Sequence, residues 1–306
     1  MLASLAIVFP IFALIALGYG VRRARLVDDG LGETLSRFVF IMAIPALLFS
    51  TLSRSDLPDV QPWAYWGAYF FALAVVWAIA DLAARFAFRD SHAGAVVAGF
   101  TAGQANLVLI GIPLVLSAYG EAAAAPLFLL IGIHLPITLT VATLFLEGRQ
   151  TSWRGIVLKL VRHPIILAIL AGAAMRISGL DLPGPVWRTL EILGGAAVPC
   201  ALIATGIALH RYGLGGDWRR PALITVLKLV IQPLIVYVIV FHVVTMPPIW
   251  AATAVLLAAC PTGINAYLLA QSYRKGVALA SGGVFLTTVV AMVTTVIWLA
   301  ILGTPA

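Results

Sequence analysis

Apolar runs of about 20 residues recur throughout the sequence, and this is the length that a helix needs to cross the hydrocarbon core of a bilayer. With 62% hydrophobic and 10% charged residues among 306, the chain is too apolar for a soluble protein with one buried core. We therefore predict an all-α polytopic membrane protein with ten transmembrane helices. The ten predicted segments are 3–21, 34–53, 63–84, 92–118, 122–146, 163–178, 187–207, 221–243, 249–272 and 277–302.

Positive charge is distributed unevenly between the connections, and cytoplasmic loops are the ones that retain Lys and Arg. Most of the 19 Lys and Arg residues lie in the odd-numbered connections, whereas the even-numbered ones hold only Arg54, Arg176 and Arg188. Arg37 and Lys228 are assigned to the cytoplasmic ends of segments two and eight. The odd-numbered connections hold Arg22, Arg23, Arg25, Arg85, Arg89, Arg149, Arg154, Lys159, Arg162, Arg211, Arg219, Arg220, Arg274 and Lys275.

This asymmetry predicts a multi-pass protein of the inner (plasma) membrane with both termini outside, on the periplasmic side. It also accounts for the sequence pI of about 9.8. The basic residues have no aromatic residues interleaved with them, so we expect the lipid bilayer and not a nucleic acid as a partner.

Identical residues recur 154 positions apart, which indicates an internal repeat with five spans in each half. Because five is an odd number, the second half must enter the membrane inverted relative to the first. We predict a first repeat at 1–148 and a second, inverted repeat at 155–306, the plan of secondary transporters with a site at the midplane. The matching pairs are Pro10 and Pro164, Gly18 and Gly172, Arg22 and Arg176, Pro45 and Pro199, Thr51 and Thr205, and Tyr119 and Tyr273.

The stretch 101–120, TAGQANLVLIGIPLVLSAYG, carries two amides, a glycine and a proline inside an apolar segment. Where a membrane helix is interrupted, its exposed backbone groups must line a protected cavity, because lipid offers no hydrogen-bond partner. Gln104, Asn106, Gly111 and Pro113 therefore predict one half of a binding site.

The stretch 258–273, AACPTGINAYLLAQSY, contains a matching interruption in segment nine. Pro261, Gly263 and Asn265 break the apolar run, and Asn265 lies 154 positions after Gly111. A pair of ordinary proline kinks is the alternative interpretation. We favour a site because each interruption also brings an amide, which a simple kink does not need.

Three parts of the sequence resemble the auxin efflux carrier family, which includes plant PIN-type auxin exporters and bacterial relatives proposed to move malonate. They are ANLVLIGIPLVLSAYGE in segment four, with LFLEGR at the end of segment five; LSRFVFIMAIPALLF in segment two; and ACPTGINAYLLAQSY in segment nine. By motif position, Asn106, Pro113, Pro261 and Asn265 carry over as substrate-site and crossover residues.

The resemblance also implies a fold shared with bile acid:sodium symporters. In that fold, helices one, two, six and seven form a scaffold, and helices three to five and eight to ten form a moving transport domain with crossed, broken helices four and nine. A homodimer joined through the scaffold and elevator-type movement are further implications.

The predicted site contains no fixed charge, because every Lys, Arg, Asp and Glu is assigned to a segment end. The helix N-termini near Gly111 and Gly263, each equivalent to about half a positive charge, would hold one carboxylate. We expect the transported form to be a monoanion, or a dicarboxylate that carries a proton or is accompanied by a cation. The hydrogen-bonding side chains of the predicted site are Asn106, Asn265, Gln104 and Thr262, while Gln271 either joins them or faces a neighbouring helix.

Few residues are suited to metal binding or to catalysis. Cys200 and Cys260 lie inside apolar segments, as small hydrophobic residues do, and His134 stands alone near the middle of segment five. We therefore expect no metal, no cofactor and no enzymatic activity. His134 has two interpretations, a proton acceptor in the substrate site or a neutral imidazole bonded to a neighbouring helix.

Together these features predict a secondary transporter for small organic carboxylates, either auxin-like monocarboxylates or malonate-like dicarboxylates. The site would alternate between the two sides of the membrane by an elevator mechanism. A sodium-coupled uptake symporter of the bile-acid type and a membrane sensor without transport are the alternatives.

Overall fold

The structure is a computed structural model that describes residues 1–54, 61–148, 164–214 and 217–303. Four of the basic residues used to predict the orientation, Arg149, Arg154, Lys159 and Arg162, lie outside the described residues, as does the predicted boundary between the two repeats.

Helices occupy all ten predicted segments in the described part of the chain. Segments one to five contain Leu2–Arg23, Asp29–Phe38 with Ile44–Arg54, Trp63–Phe86, His92–Gly103 with Ile112–Tyr119, and Ala124–Glu147. Segments six to ten contain Pro164–Ser178, Gly184–Gly195 with Ala197–Leu209, Arg219–Val226 with Gln232–His242, Pro248–Ala258 with Asn265–Tyr273, and Val277–Leu302.

Seven helical stretches among the described residues are long and apolar enough to cross a membrane. The prediction of an all-α membrane protein is therefore confirmed, while the count of ten spans and their inverted arrangement stay predictions. The seven are Leu2–Arg23, Asp29–Arg54, Trp63–Phe86, Leu107–Glu147, Gly184–Leu209, Arg219–His242 and Val277–Leu302.

Three short π-helical turns each end two residues before a proline. Proline lacks an N–H, and its ring clashes with the carbonyl four residues earlier, so the helix must widen or bend there. Before Pro233, the carbonyl oxygen of Leu229 instead accepts a hydrogen bond from the indole Nε1 of Trp298 at 2.9 Å. The three turns are Val39–Ala43, Leu107–Gly111 and Leu227–Ile231, and they precede Pro45, Pro113 and Pro233.

Segments one and seven lie with their backbones in contact, and glycine makes this approach possible. A Cβ atom added at Gly206 would lie 2.0 Å from the carbonyl oxygen of Ile15, and one added at Gly18 would lie 2.3 Å from that of Ile203. Small residues at such interfaces let membrane helices pack closely.

Segments two and six approach each other in a similar way. A Cβ atom added at Gly172 in segment six would lie 3.2 Å from the carbonyl oxygen of Phe49 in segment two. Gly172 is the residue that matches Gly18 in the 154-residue repeat. Each glycine of the pair therefore contacts a helix from the opposite half of the chain.

Candidate functional site

Segment four is not a continuous helix. Its first helix ends at Gly103, and helical structure resumes as a π turn only after Asn106. The side-chain Oδ1 of Asn106 accepts a hydrogen bond from the N–H of Leu109 at 3.3 Å, so this amide caps the start of the turn. Pro113 lies in the first turn of the next helix, and its ring and missing N–H account for the widened turn before it.

Segment nine also contains two helices. The first ends at Ala258 and the second begins at Asn265. The residues from Cys260 to Gly263 between them are buried. Their backbone N–H and C=O groups therefore need partners inside the protein.

The two non-helical stretches meet and satisfy each other as a short antiparallel pair. The N–H of Asn106 donates to the carbonyl oxygen of Pro261 at 2.8 Å, and the N–H of Gly263 donates to that of Gln104 at 3.0 Å. Residues 155 or more positions apart, which the sequence singled out separately, are thus brought together in the interior.

Two glycines keep this meeting point tight. A Cβ atom added at Gly263 would lie 3.2 Å from the carbonyl oxygen of Ala105, and one at Gly111 would lie 3.1 Å from Cδ2 of Leu257. Contacts of this length leave little room for a side chain. Both glycines therefore allow segments four and nine to approach each other closely at the predicted site.

Thr262 bonds the paired non-helical stretches to segments four and ten. Its Oγ1 donates to the carbonyl oxygen of Thr101 at 3.0 Å, and its N–H donates to Oγ1 of Thr287 in segment ten at 3.0 Å. Its side chain is fully buried. Thr287 was not anticipated from the sequence, because a threonine in a long apolar helix usually bonds within its own helix.

His134 is bonded to the backbone of segment four. Its Nε2 accepts the N–H of Ala105 at 3.3 Å, which requires a lone pair on Nε2 and places the proton of the neutral ring on Nδ1. Its ring packs edge-on against Tyr69, with the centroids 5.5 Å apart. This geometry corresponds to the neutral imidazole bonded to a neighbouring helix.

The side chain of Gln104 also turns toward segment five. Its Oε1 accepts a hydrogen bond from Oγ1 of Thr138 at 2.8 Å, and Thr138 is one turn beyond His134. Gln104, Asn106, Thr262 and His134 are all buried together at the meeting point.

Two amides of segment nine lie in different environments. Asn265 is half-buried at the start of its helix, and its side chain makes no hydrogen bond to any other described residue. Gln271 is exposed and donates to the hydroxyl of Tyr267 at 2.9 Å. Gln271 therefore faces its own helix and is not at the meeting point.

The expectation of a site without a fixed charge is wrong, because Lys228 lies beside it. This residue is nine positions, or about 14 Å, into the helical stretch Arg219–His242, roughly half the thickness of the hydrocarbon core. It is fully buried, and its Nζ donates to the carbonyl oxygen of Ala258 at 2.9 Å and to Oε1 of Gln232 at 2.7 Å.

Among the described residues, no carboxylate forms an ion pair with Lys228. Its two hydrogen-bond partners, the oxygens of Gln232 and Ala258, are both uncharged. A charge placed at mid-depth is costly, about 3 kcal/mol by the lower estimates, so residues of this kind mark functional sites.

Several hydrogen-bond donors in this neighbourhood lack a partner among the described residues. Nδ1 of His134 and Nε2 of Gln232 are buried and unpaired, and so is the hydroxyl of Tyr69. Because Lys228 can only donate, the oxygen of the Gln232 amide must face it, which leaves the Gln232 nitrogen as a free donor. The region is therefore rich in donors and suited to a ligand that accepts hydrogen bonds.

Sequence comparison assigns the chain to a family. The model of the "Membrane transport protein" family matches residues 3–155 and 142–299. A Rhizobium meliloti protein named "Putative malonate transporter" is 33% identical over 298 residues, covering 94% of this chain and 92% of its own length. The chain belongs to the auxin efflux carrier family.

Other relatives support the same assignment. An "Uncharacterized transporter" of Methanothermobacter thermautotrophicus is 28% identical over 310 residues, covering 98% of this chain and 99% of that protein. The Escherichia coli "Uncharacterized transporter YfdV" is 22% identical over 244 residues and covers 74% of each chain. The resemblance found in the sequence motifs is thus confirmed, and the chain is a multi-pass membrane transporter and not an enzyme.

Proposed function

We propose that this member of the auxin efflux carrier family is a secondary transporter for small organic carboxylates, with its substrate site where segments four and nine meet. The observation that carries the proposal is the pairing of residues 104–106 with 261–263 beside buried donors that lack partners. A carboxylate has only acceptor oxygens when ionised, so it complements such a site.

The proposed substrates are auxin-like monocarboxylates or malonate-like dicarboxylates. A relative that covers almost the whole chain bears the name of a malonate transporter, which supports the dicarboxylate class. Asn106 and Asn265 would donate hydrogen bonds to the carboxylate, and the helix N-termini after Asn106 and Gly263 would contribute partial positive charge.

The proposed architecture has ten spans in two inverted repeats, 1–148 and 155–306, with broken helices four and nine crossing at the midplane. The matched glycines support the repeat, since Gly18 packs segment one on segment seven and Gly172 packs segment six on segment two. When the two halves are exchanged, each of these contacts becomes the other, as a two-fold repeat requires, and the odd number of spans in each half makes the repeat an inverted one.

The same contacts support a scaffold made of segments one, two, six and seven. The remaining segments would form a transport domain that carries the site across the membrane as an elevator. We propose that the scaffold also joins two copies in a homodimer, and that both termini lie on the periplasmic side of the inner membrane.

The test is a flux screen in proteoliposomes over labelled mono- and dicarboxylates at several pH values and imposed voltages. We expect Asn265→Ala to lower the flux of the best substrate by about 10- to 150-fold, since one lost hydrogen bond to a charged group is worth about 1.5 to 3 kcal/mol. The substitution removes no hydrogen bond within the described protein, so folding should be preserved.

Ser272→Ala is the matched control. Ser272 is exposed on the same helix, and its hydroxyl bonds only to the carbonyl oxygen of Leu268 in the preceding turn. Flux should be normal in this variant. Normal flux in Asn265→Ala would show that the site lies elsewhere, and absence of carboxylate flux from the screen would contradict the proposed function.

A further inference from the structure

We propose that the ammonium group of Lys228 acts as a tethered cation in this carrier, taking the place that a coupling ion such as sodium would occupy. The transporter would then move a fully ionised dicarboxylate without a co-transported cation. This inference rests on the proposed function and specifies the charge of its substrate.

The oxygen atoms around Lys228 are the kind that hold a cation in a carrier. In transporters built from discontinuous helices, the carbonyl groups at the C-terminal ends of half-helices coordinate the coupling ion. Ala258 is the last residue of the first helix of segment nine, and its carbonyl oxygen accepts a hydrogen bond from Nζ of Lys228 at 2.9 Å. The amide oxygen of Gln232 supplies a second ligand at 2.7 Å.

Only one half of the chain contains such a lysine. The position 154 residues before Lys228 is Ala74, in segment three. At the end of the first helix of segment four, the carbonyl oxygens of Thr101 and Gln104 accept hydrogen bonds from uncharged groups of Thr262 and Gly263. The fixed positive charge is therefore a feature of the second half alone.

The charge balance of the meeting point depends on this residue. Each interrupted segment brings one helix N-terminus and one helix C-terminus there, so partial charges of about +0.5 and −0.5 nearly cancel. Lys228 then supplies the net positive charge. Because no carboxylate pairs with it among the described residues, the substrate is the anion available to balance it.

This arrangement changes which substrate can cross. Without a lysine, the meeting point has no net charge, and a dicarboxylate with both groups ionised would have to bring a proton or a cation with it. With Lys228 in place, one carboxylate is offset by the protein itself. The unpaired donors of His134, Gln232 and Tyr69 remain for the other. Neither the proton nor the sodium ion is then required for binding.

The experiment measures uptake of labelled malonate into proteoliposomes at a pH above its second pKa, with sodium on both sides or with N-methyl-D-glucamine replacing it. The rates in the two media should agree within about twofold. A fall of about tenfold without sodium would overturn the inference but leave carboxylate transport intact. Absence of malonate flux in both media would overturn the inference alone if the screen finds another carboxylate that is carried, and it would contradict the proposed function as well if the screen finds none.

A second arm uses Lys228→Ala, with Lys275→Ala as the matched control because Lys275 is exposed in the connection after segment nine. Uptake by Lys228→Ala in the sodium-free medium should fall by about tenfold or more, and sodium or methylammonium should restore it several-fold. Neither cation should change uptake by the wild type or by Lys275→Ala.

Restoration of uptake by an added cation distinguishes a lysine that acts as a tethered cation from one that only supports folding. Failure of every small cation to restore uptake by correctly folded Lys228→Ala, as judged by size-exclusion chromatography, would overturn the inference. If that variant does not fold, the wild-type uptake of malonate with and without sodium is by itself the test of the tethered cation.

Discussion

At the scale of single residues, the site depends on side chains that hold the backbone of the meeting point in place. The N–H of Thr262 is buried between segments, and Oγ1 of Thr287 is its acceptor. Threonine and valine have nearly the same shape, so exchanging one for the other isolates the hydrogen bond.

We predict that Thr287→Val destabilises the protein by about 1 to 3 kcal/mol, the cost of leaving a buried N–H without a partner. Thr288→Val is the control, because Oγ1 of Thr288 bonds only to the carbonyl oxygen of Val284 in its own helix. Unfolding in detergent measures both. Equal stability of the two variants would contradict the role given to Thr287.

Residue-level prediction from the sequence is most informative where backbone chemistry is local. Proline, glycine and amide together indicate an interrupted membrane helix, and helical structure is absent at Gln104–Asn106 and from Cys260 to Gly263. It failed at Lys228, because a lysine eight residues after Arg220 can extend its long side chain toward either the membrane surface or the interior. Only the position of Ala258 in another segment decides between the two directions.

At the scale of helices, segments one and seven are held together by contacts that only glycine allows. The steric conflict would be greater at Gly206 than at Gly18, since a Cβ added at Gly206 would lie 2.0 Å from a backbone oxygen of segment one. Backbone atoms cannot move aside as a flexible side chain can. The helices would have to separate.

We predict that Gly206→Ala lowers stability by about 1 to 3 kcal/mol through overpacking. Gly195→Ala in the same segment is the control, because no atom lies within 4 Å of a Cβ added there. The midpoint of thermal unfolding in detergent distinguishes them. An unchanged midpoint for Gly206→Ala would mean that the two helices are farther apart than described.

The sequence predicted where the helices lie better than it predicted their internal geometry. The apolar runs located helices in all ten segments, since hydrophobic length is a direct requirement of the bilayer. The π turn at Leu227–Ile231 was not predicted, because it depends on Pro233 together with the indole of Trp298 from segment ten. Such long-range partners leave no local signal.

At the scale of the whole molecule, the proposed substrate site of this transporter is built by two distant parts of the chain. The family assignment rests on the sequence, while the meeting of segments four and nine rests on the hydrogen bonds between them. The proposed elevator movement would carry this meeting point across the membrane, so transport by that movement requires that a carboxylate binds where residues 104–106 and 261–265 meet.

Binding of malonate to the purified protein tests this claim most directly, because a ligand that binds the folded state raises its unfolding temperature with concentration. We predict such a rise for the wild type and none for Asn106→Asp, which keeps an acceptor for the N–H of Leu109 but repels an anion. An equal rise in both proteins would contradict a carboxylate site at this meeting point.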